Sequence, residues 1–245
     1  MTKLPKDLKP KFNYQLIRLG GNNDGGYLVG LKSILATSTL ISFGIGGDVD
    51  FEKDFLSRKK VIFLGYDNEN YKQYFKRQIL LGLPFLLRLK LGKFFKIILK
   101  YYRFIKFAKN NELNRLNITY NSIDDILKNK KVLEPFFFKV DIEGSEYRIL
   151  ESILKIQHSI CGLVIEFHDI DLNIERILSF IQNFNLTLTH IHANNYGEPD
   201  LHGNPTVIEL TFEKDPIKID QSVNIPNNLD NPNNPLKNDY LNYFD

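Results

Sequence analysis

Three carboxylates fall within six positions where one apolar run ends: Asp141, Glu143 and Glu146, in FFFKVDIEGSEYRIL (residues 136–150). Further along, IEFHD puts Glu166 and His168 on one side of an extended chain by its period of two. HIHANNYG repeats that spacing with His190 and His192. Asp141, Glu166, His168 and His192 are therefore expected to meet at neighbouring strand ends. Carboxylates beside imidazoles can act as a general base with its orienting partner. The same four offer oxygen and nitrogen ligands to Mg²⁺ or Mn²⁺. No local ligand motif such as HExxH occurs, and a hydrogen-bonded His–carboxylate pair accounts for the residues with fewer parts. A metal-free base is the expectation, with a divalent metal as the alternative. Glu146 reads as a helix-start residue, since acids suit the positive end of the helix dipole.

A second group of residues suits a cofactor. FGIGGD places Gly44, Gly46 and Gly47 just after an apolar run, followed by Asp48. Glycines there let a backbone turn approach a ligand closely, and the next helix N-terminus favours an electronegative group. The next run ends in Asp67, an acid placed to accept hydrogen bonds from ribose hydroxyls. NSIDDIL reads as a capping box with Ser122 as N-cap and Asp125 at N3, and Ser122 also falls near an adenine. NNDGGYLV is a turn signal that either shapes a loop or lines the ligand pocket, with Tyr27 able to close over it.

The elements that must position these residues alternate between apolar β-rich runs and helical patterns, so βαβ units and a mainly parallel sheet are expected. Strands are expected at 39–44, 61–67, 116–120, 135–141, 161–167, 186–192 and 206–212, the last two as an antiparallel hairpin. Helices are expected at 49–58, 71–109 (one long or two), 122–129, 144–157 and 172–184. Five parallel strands followed by a hairpin make a Rossmann-like α/β sheet of the class I methyltransferase pattern. The 245 residues read as one domain, with a basic amphipathic helical insertion at about 71–111 and an Asn/Pro-rich tail from about 213.

Composition narrows the classes. One cysteine, Cys161, leaves no internal disulfide framework and no zinc spacing. The N-terminus lacks a secretory h-region, and no window approaches a transmembrane span, so a cytoplasmic location is expected. Residues 71–111 hold eleven Lys/Arg and no acid, leaving a net of −8 elsewhere in a chain whose total is +3. Such segregation points to an anionic partner: the inner face of a membrane, or the phosphates of a nucleotide-sugar or polymer acceptor. Nucleic acid is not expected, because the rest of the chain is acidic and carries no nucleic-acid-binding motif.

KVDIEGSEYRIL, LVIEFH, HIHANNYG and PTVIELTF together resemble the FkbM-type S-adenosylmethionine-dependent methyltransferases. RLGGNNDGGYLV, ISFGIGGDVDFE and LDNPNNP are similar to a branch of that family common in surface-polysaccharide gene neighbourhoods. The resemblance covers nearly the whole chain except the basic segment. It implies O-methyl transfer from S-adenosylmethionine to a sugar hydroxyl in capsule or lipopolysaccharide biosynthesis. Gly44, Gly46 and Asp67 would hold the cofactor, and Asp141 would lie by its methyl group. One position departs from the pattern: Ser42 stands where an acid usually opens the glycine motif, so contact with the cofactor's amino group falls to Asp24 or Asp141. Two other readings remain, a non-catalytic membrane-associated protein with the same fold and an NAD-dependent oxidoreductase. The missing third glycine of GxGxxG and the terminal hairpin speak against the second.

Overall fold

Apolar runs without polar alternation become the middle of a sheet, because strands covered on both faces need no solvent side. The computed structural model describes residues 4–69, 72, 75–80, 91–241 and 244. Its central runs are β4 (Thr39–Phe43), β7 (Phe136–Val140) and β8 (Ile160–Phe167), buried along their whole length, with β5 (Ile62–Asp67) beside β4. With β6 (Glu112–Arg115), β9 (Thr187–Ala193) and β10 (Ile208–Glu213) they form a seven-stranded sheet of order β6-β5-β4-β7-β8-β10-β9. Pairing is parallel from β6 to β8, and β10 runs antiparallel to both β8 and β9. This is the expected α/β sheet with its terminal hairpin.

Helices cover both faces. On one side lie α1 (Leu31–Ala36), α2 (Asp50–Arg58) and α3 (Leu91–Asn110), packed over Leu40, Phe63, Phe137 and Val164. On the other lie α4 (Ser122–Asn129), α5 (Leu150–Lys155) and α6 (Ile170–Asn183), over Phe43, Phe138, Ile165 and Phe212. A short hairpin of β2 (Ile17–Leu19) and β3 (Tyr27–Val29) joins the first side. β1 (Asn13–Tyr14) pairs with β11 (Lys218–Asp220), and an isolated bridge ties Leu4 to Phe244, which is buried.

Two expectations about elements need correction. The third strand is Glu112–Arg115 and not 116–120, because Leu64 to Asp67 pair in register with Glu112 to Arg115. An edge strand is half-solvated, so its ELNR sequence needs no apolar run, while Leu116, Asn117 and Ile118 leave the sheet and wall a cleft. The helix expected over 144–157 is a 3₁₀ turn at Glu146–Arg148 followed by α5, because the Glu146 carboxylate folds back onto the amides of Ile142 and Gly144. Of the one or two helices expected over 71–109, residues 72, 75–80 and 91–109 are helical, and 71, 73, 74 and 81–90 lie outside the described residues.

Candidate active site

A cleft of about 800 Å³ opens at the carboxyl ends of β4, β5 and β7. Ligands of doubly wound sheets bind at such edges. The turn after β4 forms one wall. Gly44 adopts φ 77°, and a Cβ on it would fall 1.5 Å from the Asp141 carbonyl oxygen, so only glycine fits. Gly46, at φ 55°, has nothing within 4 Å of where a Cβ would stand; that side is open to the cleft. Asp67, from the end of β5, accepts the Gly46 N–H at 2.6 Å and the Glu69 N–H at 2.6 Å. Each carboxylate oxygen keeps a further lone-pair direction for a ligand hydroxyl. Gly44, Gly46, Asp67 and Asp141 are all cleft walls.

Beside them lies a buried acid that the sequence reading did not single out. Ser42 donates its hydroxyl to Glu52 of α2 at 2.5 Å, so a carboxylate from the following helix stands at the position where Ser42 lacks one. Burial raises the Glu52 pKa, opposed by Lys139 and by the Ser42 hydroxyl. Lys139 is the buried cation of β7. Its Nζ donates to the Gly44 carbonyl at 2.8 Å and to Asp141 Oδ2 at 3.3 Å. Burial works against that charge, but Asp141, Glu52 and Glu166 outweigh it and raise the Lys139 pKa.

Tyr27 is buried beside the cleft, with its hydroxyl between two carboxylates. Its hydroxyl lies 3.0 Å from Asp141 Oδ2 and 3.1 Å from Glu166 Oε2. One O–H can serve only one of those oxygens. Burial, with Asp141 and Glu209 nearby, pushes the Glu166 carboxyl well above the ordinary range and favours its protonated form. Tyr27 therefore donates to either Asp141 or Glu166. Asn194 supplies a donor to the other Glu166 oxygen at 2.8 Å.

His168 sits just past the end of β8. Its Nδ1 lies 3.0 Å from Glu146 Oε1, and its Nε2 lies 3.4 Å from Glu143 Oε2 and 3.8 Å from Glu166 Oε1. Burial disfavours its cation, yet the Glu146 hydrogen bond and charge, with Asp141 and Glu143, raise its pKa. Glu146 is thus the partner that orients His168, and not simply a helix-start residue. Glu143 and Asp169, on the loops after β7 and β8, both adopt left-handed φ of 52°, which clusters at functional sites. Among the described residues, donor atoms of Asp141, Glu143 and His168 lie within 4.8 Å of one another, a set that could hold a cation.

The four-residue convergence expected from spacing is reduced to three. His192 is buried, with Nε2 3.3 Å from Asp239 of the C-terminal tail and Nδ1 3.7 Å from Glu209. Burial opposes its charge, but those partners raise its pKa to about 10. His190 is held likewise by Asp230 at 3.0 Å. Ser122 is also placed differently. It is the first residue of α4, Asn121 is the N-cap without a side-chain bond, and the Ser122 hydroxyl accepts the Thr119 N–H at 2.8 Å. Leu116, Asn117 and Ile118 wall the cleft where Ser122 was expected. In the NNDGGYLV segment, Arg18 binds the Gly21 and Asn23 carbonyls and shapes the loop, while Asp24, Gly25 and Tyr27 reach the cleft.

A sequence profile described as the methyltransferase FkbM domain matches residues 31–188. No curated protein matches the chain. Among solved structures, TrmK of M. capricolum in complex with S-adenosyl-homocysteine is similar at 14% identity and a TM-score of 0.39, over 76% of this chain and 68% of that one. An rRNA methylase from Streptococcus thermophilus is similar at 13% identity and a TM-score of 0.40, over 75% and 90%. An O-methyltransferase from Bacillus cereus in complex with S-adenosyl-homocysteine is similar at 13% identity and a TM-score of 0.37, over 75% and 77%. Likeness at that level says nothing of the substrate.

Proposed function

Because the chain belongs to the FkbM methyltransferase family, we propose that it methylates a sugar hydroxyl on a phosphate-bearing acceptor, with S-adenosylmethionine as methyl donor. The observation that supports this reading is the joining of two half-sites along one cleft: the open Gly44–Gly46 turn facing Asp67, and the wall residues Asp141 and Glu143, which have a His168 ring nitrogen within 4.8 Å behind them. Asp67 would hold the ribose and Glu52 the amino end. When bound, S-adenosylmethionine supplies an electrophilic methyl group on a sulfonium. His168 takes the acceptor's hydroxyl proton at Nε2, and Glu146 keeps the ring oriented through Nδ1. Positioning of this kind can contribute ~7–11 kcal/mol to the acceleration. Arg77 and Lys100 also wall the cleft, paired with Glu69 at 3.3 Å and Asp48 at 2.9 Å. Acceptor phosphates would compete for both cations. A capsule or lipopolysaccharide precursor fits that acceptor class.

The test is a calorimetric titration with S-adenosylmethionine, its demethylated product and NAD. The first two should bind, and Asp67→Ala should abolish their binding. Binding of NAD alone would instead support an oxidoreductase. Activity should survive exhaustive EDTA treatment. Loss restored by Mg²⁺ or Mn²⁺ would recast Asp141, Glu143 and His168 as ligands.

A further inference from the structure

The outward face of α3 is both apolar and cationic. Phe95, Leu99 and Tyr102 follow one another at spacings of four and three, which puts them on one side of a helix, and they are 64%, 48% and 64% exposed. Arg103, Lys106 and Lys109 continue that side toward the helix end and are exposed as well. The opposite side buries Phe104 against Phe75, with ring centroids 5.1 Å apart, and Phe107 against Phe63 at 5.5 Å. One face therefore anchors α3 to the domain, and the other presents a run of large apolar side chains that folding does not use. Lys100 is not part of this face: it turns back to Asp48 at the cleft mouth. The side chains of Lys93 and Lys96 lie outside the described residues.

We infer that this face docks on an anionic lipid bilayer, with Phe95, Leu99 and Tyr102 in the headgroup–acyl boundary and Arg103, Lys106 and Lys109 against headgroup phosphates. Charge complementarity selects the occupant. The 71–111 segment has eleven Lys/Arg and no acid, whereas the rest of the chain is net negative and is repelled by the same surface. A soluble phosphate would need cations that converge on a pocket. Lys109 shares a pocket with Lys72 and Lys76, but Arg103 and Lys106 run along an outward face beside aromatic rings, an arrangement suited to side chains that bury their stems and extend their charge. Among the described residues no helix is long and apolar enough to cross a membrane, so the contact is with the surface. Because α3 also supplies Lys100 to the cleft wall, docking of its outward face would hold the cleft near the bilayer and a lipid-linked acceptor. That consequence rests on the proposed methyl transfer; docking does not.

The test is co-sedimentation of the full chain with vesicles of phosphatidylcholine and with vesicles of equal parts phosphatidylcholine and phosphatidylglycerol. The protein should sediment with the second and not with the first. Arg103→Gln, Lys106→Gln and Lys109→Gln together should weaken partition onto the anionic vesicles roughly a hundred-fold. Phe95→Ala with Leu99→Ala should abolish the binding that persists in high salt, since apolar insertion is not screened. A wild-type protein left in the supernatant, or a triple variant that sediments like the wild type, overturns the inference. So does a triple variant that loses calorimetric affinity for uridine diphosphate and keeps its vesicle binding. Far-ultraviolet circular dichroism of each variant reports folding, and S-adenosylmethionine titration of the wild type keeps the two readings apart: vesicle binding by a folded protein that does not bind it supports docking and removes methyl transfer.

Discussion

A general base acts in its unprotonated form, so the environment of His168 sets the pH at which it can work. Burial disfavours the imidazolium, but Glu146, Asp141 and Glu143 together outweigh it, and the pKa lies above the ordinary 6.5. The pH profile of kcat/KM should therefore rise with pH through a limb above that value. Glu146→Gln keeps the shape and removes the charge, so the limb should shift to lower pH while activity falls about 10–100-fold. A limb that stays in place in the variant would assign it to another group. Tyr27 carries a different role, as the hydroxyl between two carboxylates. Tyr27→Phe should destabilise the fold by about 1–3 kcal/mol, read from urea unfolding, because Asp141 and Glu166 lose their shared partner.

At the scale of elements, the turn after β4 makes separable demands on its two glycines. Gly44 is pressed against the backbone of the β7 end, where a Cβ would meet the Asp141 carbonyl at 1.5 Å. Gly44→Ala should force the two strand ends apart at roughly 3–5 kcal/mol of stability. Gly46 has a positive φ of 55° but open space beside it. Gly46→Ala should lose only about 1–2 kcal/mol to the left-handed backbone, yet weaken S-adenosylmethionine binding, because the methyl group projects into the cleft. Thermal unfolding together with calorimetry separates the two effects. Equal affinity in Gly46→Ala and the wild type would move the donor away from this turn.

Across the whole molecule, the segment after β10 is part of the fold. Asp230 and Asp239 cover His190 and His192 on β9, and Asn233 donates to Glu209 of β10 at 2.7 Å. A histidine whose folded pKa is raised from 6.5 to about 10 contributes stability that is full below 6.5 and is lost as pH rises through about 10. His192→Gln should accordingly lower stability by a few kcal/mol, an order-of-magnitude figure, at the acidic end of that window. The difference from the wild type should shrink toward its alkaline end. Thermal melts across the window check this, and a pH-independent difference would show that His192 is not charged in the folded protein.

What the sequence determined by itself was what local composition controls. Short apolar, β-branched and aromatic runs bounded by turn residues favour central strands, so β4, β5, β7 and β8 were legible, as were the glycine turn after β4 and the acids at the ends of β5 and β7. The edge strand β6 was hidden, since an edge needs no apolar run. Spacing put His168 and His192 on equivalent strand ends, but only tertiary structure decided their neighbours. His192 meets Asp239, 47 residues away, while His168 meets Glu146, 22 residues away on the loop after β7. Tyr27 reaches Asp141 across 114 positions, and Glu52 reaches Ser42 only because α2 packs back onto β4. Side-chain direction along a strand follows from the chain's own geometry. Which group shifts a pKa or fills a hydrogen bond depends on segments brought together by packing, and no local pattern encodes that.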